Sequence, residues 1–447
     1  MTGRALGLDL HLDAAPRGRS IEAALREAVV SGRLAAGTRL PGTRTLAADL
    51  GLARGTVVEA YAQLTAEGWL VSTTGAGTWV AQTSPSGRSA APVPKKSVVD
   101  LRPGRPDLSL FPRATWVAGL RRALMGAEHS SLDYGDPAGL PVLREAVAAY
   151  VGRTRGVQAE AGAVVIVGGF SHGLAVLSRA LRAQGVRTIG TEDPGLVHHR
   201  EMIHRNGLAT SPLSVGPCGA EPSESDLGAV LLTPAHQHPR GVVLGAEQRA
   251  GFLDWAERRD GYVIEDDYDG EFRYDKQPVG ALQAQAPDRV VFAGSTSKSL
   301  APGLRIGWLV VPERLRIAVL DAVVATGAMV SAPDQLTLAQ LLEHGDYDRQ
   351  VRRARQVYQR RRQELAARVR LDGVPAGLHA LHPLESVEHE KRLIDAGLAN
   401  GLHLMGLHTA GYWHSPDDDR AGLVIGYATP PQHAWRAALD SLATLLN

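Results

Sequence analysis

Cysteine is nearly missing from this chain: Cys218 stands alone among 447 residues. One thiol cannot close an internal disulfide, so a reducing compartment is the expected setting and stability must come from a core. Long apolar runs are missing as well. No stretch of about eighteen apolar residues occurs, which argues against a membrane-spanning helix. Met1 to Leu12 lacks the basic-then-apolar pattern of a secretory leader, and a cytoplasmic protein is expected. Excess charge is lacking too, at a formal net +1. Lysine is scarce: Lys95, Lys96, Lys276, Lys298 and Lys391 are the full set, leaving 43 of the 48 basic residues as arginine (48 less these 5). Where arginine supplies the surface charge, a retained lysine invites a chemical reason.

What is present suits a large folded body. Hydrophobic residues make up 44% of a chain too long for one ordinary domain. Charge is unevenly spread: residues 1–97 hold 11 Lys+Arg against 7 Asp+Glu (+4), and the remainder 37 against 40 (−3), which sum to +1. A basic head on a mildly acidic body permits nucleic-acid binding by the head. Thr83 to Val98 (TSPSGRSAAPVPKKSV) has no helical or strand period and reads as a linker. The domains expected are therefore 1–82, a linker at 83–98, and 99–447.

In the head, Ser20 is placed to cap a helix with Ile21, Leu25, Ala28 and Val29 on one face, and Gly32 and Gly37 break it. Thr45 to Leu50 reads as a short helix, Gly51-Leu52 as a turn, and Arg54 to Glu67 as a second helix buried along Val57, Tyr61 and Leu64. Trp69 to Val80 reads as a hairpin around Gly75-Ala76-Gly77. Helix, helix-turn-helix and hairpin follow the order of a winged helix, which sets the start of its second HTH helix in the DNA major groove. Arg44, Arg54 and Thr56 stand where the chain would meet the duplex. The bland alternative is a small helical domain with solvated arginines. The stretch LAAGTRLPGTRTLAADLGLARGTVVEAYAQLTAEGWLVSTTGAGTWVA resembles the GntR-type winged helix along nearly its whole length. Two serines usual before the Arg in that family are replaced by Gly42-Thr43, leaving Thr43 as one hydroxyl for a phosphate.

The body alternates short apolar strands, at Val164–Val167, Val230–Leu232, Tyr262–Ile264 and Arg289–Phe292, with helical stretches. That pattern predicts an α/β fold with a mostly parallel sheet covered on both faces, plus a smaller α/β lobe in about the last 70 residues. Within it, Lys298 in GSTSKSLAPGLRIGW follows a strand among hydroxyl residues, with Ser295 and Ser297 before it and Arg305 seven residues on. A lysine that must lose its proton is favoured by desolvation, and an Arg with hydroxyls suits a phosphate. Glu265-Asp266-Asp267-Tyr268-Asp269 ends another strand in clustered carboxylates, a costly arrangement without a cation beside it. Gly168-Gly169-Phe170-Ser171-His172-Gly173 opens a helix after a strand, where free N–H groups suit an anion. Amine, acid and anion cradle are what pyridoxal 5'-phosphate (PLP) needs from a protein. A metal site or a solvated acidic loop is the competing reading of the carboxylates.

Taken in order, LRPGRPDLSLFPRATW, LDYGDPAGLPVLREAVAAYV, TEDPG, LLTPAHQHPRGV, VIEDDYDGEFRY and STSKSLAPGLRIGW resemble fold-type I aminotransferases. More narrowly they resemble the MocR/GabR regulators, which join a GntR head to such a domain. The resemblance covers nearly the whole chain. It implies a PLP-dependent, homodimeric, DNA-binding transcription regulator that senses PLP or a PLP–amine adduct and controls vitamin B6, amine or amino-acid metabolism genes. It also implies Lys298 as the Schiff-base lysine, Asp266 at the pyridine nitrogen, and Tyr268 at the ring hydroxyl. Ser171 and Arg305 fall at phosphate positions, with Phe170 and Ser295 beside them. The sequence departs from the aminotransferase pattern at Leu196, where an aromatic usually stacks on the ring, and at His238, where an Asn usually meets the ring hydroxyl. No arginine clamp for an α-carboxylate stands out in GLVIGYATPP, and Arg420 is the nearest candidate. These departures favour a sensor with little turnover over the alternative of a working aminotransferase carrying a DNA-binding head. His198-His199 and His236-Gln237-His238 invite a metal, but no Cys or carboxylate spacing completes a ligand set, and none is expected.

Overall fold

The computed structural model describes residues 21–73, 76–81, 98–274 and 279–446. Ser20, Gly75, Lys276 and residues 83–97 of the expected linker lie outside the described residues. The chain divides into two compact units, Met1–Pro94 and Lys95–Asn447.

The first unit holds α1 (Ile21–Val30), α2 (Thr43–Leu50), α3 (Arg54–Ala66) and a hairpin of β1 (Leu70–Thr73) and β2 (Gly77–Val80). Gly51 ends α2 in the left-handed region (φ 64°), the tight turn that the sequence places there. Val57, Ala60, Tyr61 and Leu64 are buried on α3, one to two turns apart, and close on Leu25, Ala28 and Leu46. The Tyr61 hydroxyl donates to the Pro41 carbonyl at 2.9 Å and fixes the approach to α2. Leu70 pairs with Val80 and Thr73 with Gly77, so the hairpin is the expected wing.

The second unit opens with β3 (Val99–Asp100), α4 (Arg113–Gly126) and α5 (Pro141–Arg155). Next come β4 (Val164–Val167), α6 (Phe170–Ala183), β5 (Thr188–Asp193), α7 (Val197–Arg205), β6 (Ala209–Gly216), β7 (Gly219–Ala220) and β8 (Ala229–Leu232). After α8 (Ala246–Arg258) follow β9 (Tyr262–Asp266), β10 (Val290–Ser295), β11 (Gly307–Val310), α9 (Glu313–Thr326), α10 (Ala332–Glu343) and α11 (Asp346–Ala366). The eight-stranded sheet runs β4-β11-β10-β9-β8-β5-β6-β7. Its central strands are parallel, while β11 is antiparallel to both β10 and β4.

Alternation along β4 shows how both faces are covered. Val165 and Val167 join the core of α6 and α9, with Leu174, Leu177, Leu315 and Val319. Val164 and Ile166 face the other way, into Leu143, Val147 and Val151 of α5 and Leu338 and Leu341 of α10.

The smaller lobe contains β12 (Ala380–Leu384), α12 (Val387–Ala399), β13 (Leu402–His403), β14 (Ala421–Ile425) and α13 (Trp435–Leu446). It reaches further than the last 70 residues. β3 pairs with β13, and Leu101, Leu110, Tyr358 and Leu365 share its core with Leu393, Leu423, Trp435 and Leu439. The apolar faces of those few final elements need this earlier chain to cover them.

Candidate functional site

A cavity of about 320 Å³ opens where the parallel strands end, lined by Thr191 of β5, Asp266 of β9 and Ser295 of β10. The carboxyl edge of a parallel sheet is where side chains from successive turns converge. Lys298, Tyr268, Ser171, Phe170, Arg305 and His238 line the same space, so the residues that the resemblance assigns to the cofactor meet there.

One wall is an anion cradle. Gly169 ends the turn after β4 at φ 83° and starts α6, whose first residues are Phe170 and Ser171. Arg305 takes the left-handed region itself (φ 53°) after the Pro302–Leu304 turn, an uncommon position for a residue with a side chain. A Cβ on Gly169 would sit 3.6 Å from Arg305 Nη1, so the guanidinium lies directly against the helix entry. Arg305 makes no ion pair among the described residues. A free guanidinium, helix N–H groups and a hydroxyl at one spot fit a phosphate dianion. Ser171 Oγ lies 3.2 Å from His198 Nε2, and Ser295 Oγ 2.7 Å from Ser297 Oγ.

Across from the cradle, Lys298 Nζ donates to Ser297 Oγ at 3.3 Å. Burial lowers the pKa of its ammonium, while the charges of Asp266 and Asp269 oppose the shift. Burial pushes the Asp266 carboxyl well above its usual range, with Lys298 pulling it back. A buried amine and a buried acid in one cavity fit a bound molecule that brings an electrophile for the first and a basic nitrogen for the second. Tyr268 donates its hydroxyl proton to the His236 carbonyl at 2.8 Å. His238, kept neutral chiefly by burial, is 3.0 Å from the Tyr412 hydroxyl through Nε2, so that nitrogen is already engaged.

Several lining residues escaped the sequence reading. His199 sits one turn into α7 from Leu196, its ring centroid 5.0 Å from that of Phe170, and burial takes its pKa down to about 3. It brings an aromatic face to the wall where Leu196 lacks one. Glu192 is buried behind Thr233, whose N–H and hydroxyl donate to it at 3.1 and 2.5 Å, and burial raises its carboxyl to about 7. Pro103, Gly104, Leu378, His379, Met405 and Tyr412 come from the smaller lobe and its approaches, which no local pattern relates to β9 or β10. Arg200 also lines the cavity, yet its guanidinium donates to the carbonyls of Gly195, Tyr412, Gly411 and Trp413 at 2.9, 3.0, 2.5 and 3.1 Å. It fastens the loop after Gly195 to the smaller lobe.

Two expectations need correction. Arg420 lies outside the cavity, paired with Asp418 at 2.6 Å and stacked 3.7 Å over the Trp413 ring, so it is no carboxylate clamp. A carboxylate does join the histidines: ligand-type atoms of His236, Asp269 and His379 lie within 4.8 Å of one another. Asp269 is far from both in sequence, which is why spacing missed it. Its Oδ2 is taken by His236 Nδ1 at 2.8 Å.

In the head, Arg44 near the start of α2 and Arg54 and Thr56 at the start of α3 are exposed, while Thr43 is half-buried. Arg26 of α1 instead grips Glu67 at 2.7 Å and braces the end of α3.

A family model described as "Aminotransferase class I and II" matches residues 96–399, and one for "Bacterial regulatory proteins, gntR family" matches residues 17–80. The chain is 31% identical to the probable rhizopine catabolism regulatory protein MocR of Rhizobium meliloti, over 96% of this chain and 93% of that one. It is 30% identical to the HTH-type pyridoxine biosynthesis transcriptional regulator PdxR of Corynebacterium glutamicum, over 95% and 94%. An archaeal alanine:glyoxylate aminotransferase shares the body fold with a TM-score of 0.69 at 22% identity, covering 79% of this chain and 91% of that one.

Proposed function

The chain belongs to the MocR-type transcription regulators, in which a GntR head precedes a class I and II aminotransferase domain, and we propose that its body senses PLP, or an adduct of PLP with a small amine. The observation that carries this reading is the meeting of Lys298, Asp266, Arg305 and Ser171 in one cavity at the strand ends. PLP is the cofactor the family implies, and when bound it supplies an aldehyde that condenses with amines and a ring that withdraws electrons. Lys298 is the amine for that aldehyde, its proton weakened by burial. Asp266 is the acid for the ring nitrogen. Arg305, Ser171 and the first turn of α6 hold the phosphate, with Ser295 beside them. Tyr268 and His238 face the ring hydroxyl, and Phe170 and His199 pack the walls.

The cavity's second guanidinium, Arg200, is spent on four carbonyls, so an effector carboxylate finds no ready clamp there. That supports sensing over sustained transamination, which needs an α-carboxylate held in place. The effect on DNA requires that PLP favour one arrangement of the heads over another. Arg44, Arg54, Thr56 and Thr43 are the residues that meet the operator. Paired heads come from a homodimer: Val117 and Met125 on α4 are 62% and 83% exposed, apolar side chains on either side of the exposed Arg121 that a second copy of this chain would cover. A cytoplasmic regulator of vitamin B6, amine or amino-acid metabolism genes fits this chemistry and the names of its relatives.

The test uses the purified protein loaded with PLP. A visible absorbance band lost in Lys298→Ala, and operator affinity that changes when PLP is added, are expected. Operator affinity indifferent to PLP overturns the sensor. Amino donors consumed for many turnovers make the body an enzyme instead.

A further inference from the structure

Three arginines stand together at the end of the sheet opposite the cavity. Arg187 immediately precedes β5, whose far end carries Asp193. Arg179 and Arg182 occupy the last turns of α6, and Gly207 lies between α7 and β6. With Ala183 they frame a surface groove of about 520 Å³. All three arginines are exposed.

The groove is shaped by more than chance charge. A Cβ on Gly207 would sit 2.6 Å from Arg182 Nη1 and 3.0 Å from its Cζ, and Gly207 has φ +81°. Glycine at that position therefore lets the guanidinium lie flat across the backbone. Arg179 Nε donates to Asn206 Oδ1 at 2.9 Å, and Asn206 Nδ2 is itself anchored to the Met202 carbonyl at 2.8 Å. Among the described residues Arg187 reaches only the Val186 carbonyl, at 3.4 Å. None of the three is in an ion pair among the described residues, and the nearby Glu201 on α7 faces Arg205 at 3.5 Å. The negative end of the α6 dipole accounts for Arg182. It does not account for Arg187, which lies beyond the helix at the start of a strand. Three like charges without a counter-charge suit a polyanion.

We propose that this arginine groove is a DNA contact of the body itself, gripping the phosphate backbone that flanks the site read by the head. The proposal rests on the regulator reading, because the head is what brings a duplex to the molecule. Guanidinium forks match phosphate oxygens. The lining has no aromatic ring to stack on a base, which favours a sequence-independent backbone contact over a nucleotide pocket.

The experiment is operator binding by the full-length, PLP-loaded protein against salt, for the wild type and Arg182→Ala/Arg187→Ala. On a duplex extending well beyond the head's site, the double variant is expected to bind more weakly. Its log–log salt slope should fall by about two, one for each phosphate no longer gripped. On a duplex trimmed to the head's site the two proteins should match, and the cofactor absorbance should be the same in both. Arg54→Ala, run alongside, separates this proposal from the head's reading. A slope lowered by Arg54→Ala but not by the double variant leaves the head in place and overturns the groove. Thermal stabilisation by inorganic phosphate that the double variant loses, with its DNA slope unchanged, also overturns it, in favour of a free-anion site.

Discussion

The hydroxyl of Ser299, the residue after Lys298, lies 2.6 Å from the hydroxyl of Tyr347. Tyr347 donates in turn to Glu271 Oε1 at 3.0 Å, and Tyr150 donates to the same oxygen at 3.0 Å. The turn that presents Lys298 is thus held from behind by a buried chain of hydroxyls ending on a carboxyl that burial raises to about 7. Removing one hydroxyl strands its buried partners, at about 1–3 kcal/mol. Tyr347→Phe should therefore lower the melting temperature and weaken PLP binding severalfold, because Lys298 loses its backing. Thermal melts with and without PLP, and a PLP titration followed by absorbance, check this. A variant that melts early yet binds PLP as tightly as the wild type makes the chain structural only.

Glu192 gives a pH dependence whose sign is fixed. Its folded pKa is about 7, raised by burial from an ordinary 4.5. Between those values the unfolded chain has released the proton and the folded chain keeps it, so stability falls as pH rises through this window. The slope is at most ~1.4 kcal/mol per pH unit for one group. Glu192→Gln removes the titration and keeps the shape. The stability difference, wild type minus variant, should shrink from pH 5 to pH 7, as measured by denaturant unfolding at each pH. A difference that is flat across that range removes Glu192 from the account.

Sequence and structure agree best where chemistry is written in adjacent residues. Lys298 with Ser295 and Ser297, or Asp266 with Tyr268, sit at the end of one strand and in the turn that follows it, so motif and geometry coincide. Arg54, Val57, Tyr61 and Leu64 are likewise legible because helical spacing alone sorts exposed from buried. His199 was hidden since two neighbouring histidines on a polar helix look like surface residues until α7 is docked. Tyr412 and Met405 were hidden for a different reason: β3 must pair with β13 before the smaller lobe faces the strand ends. Asp269 belonged to a recognised motif, but its partner His236 was set by a crossover between β8 and β9.

In the head, Arg54 opens α3, is exposed, and makes no hydrogen bond or ion pair among the described residues. Such a side chain contributes little to stability, so its replacement isolates the DNA contact. Arg54→Ala should melt like the wild type and bind its operator more weakly. If the residue meets one phosphate, the salt slope drops by about one and the loss is equal on specific and random DNA. A loss confined to the operator sequence would mark a base contact instead. Unchanged binding on both removes Arg54 from the interface.

Gly169 is where backbone geometry and anion binding are joined most tightly. Its φ of 83° with ψ of 174° is a region that only glycine occupies easily, and Arg305 Nη1 is 3.6 Å from where a Cβ would stand. Gly169→Ala therefore adds backbone strain of about 1–3 kcal/mol, at a point where the new methyl would only touch the Arg305 guanidinium at ordinary contact distance. The turn can relieve the strain only by shifting the first N–H groups of α6 away from Arg305. The expected result is a loss of PLP affinity of roughly tenfold or more, by the same free-energy scale. Pyridoxal, which has no phosphate, should be affected far less, since Asp266 ends β9 and Lys298 lies in the turn after β10. Equal losses for PLP and pyridoxal, measured by absorbance titration, would show that Gly169 supports the whole cavity and not the phosphate cradle.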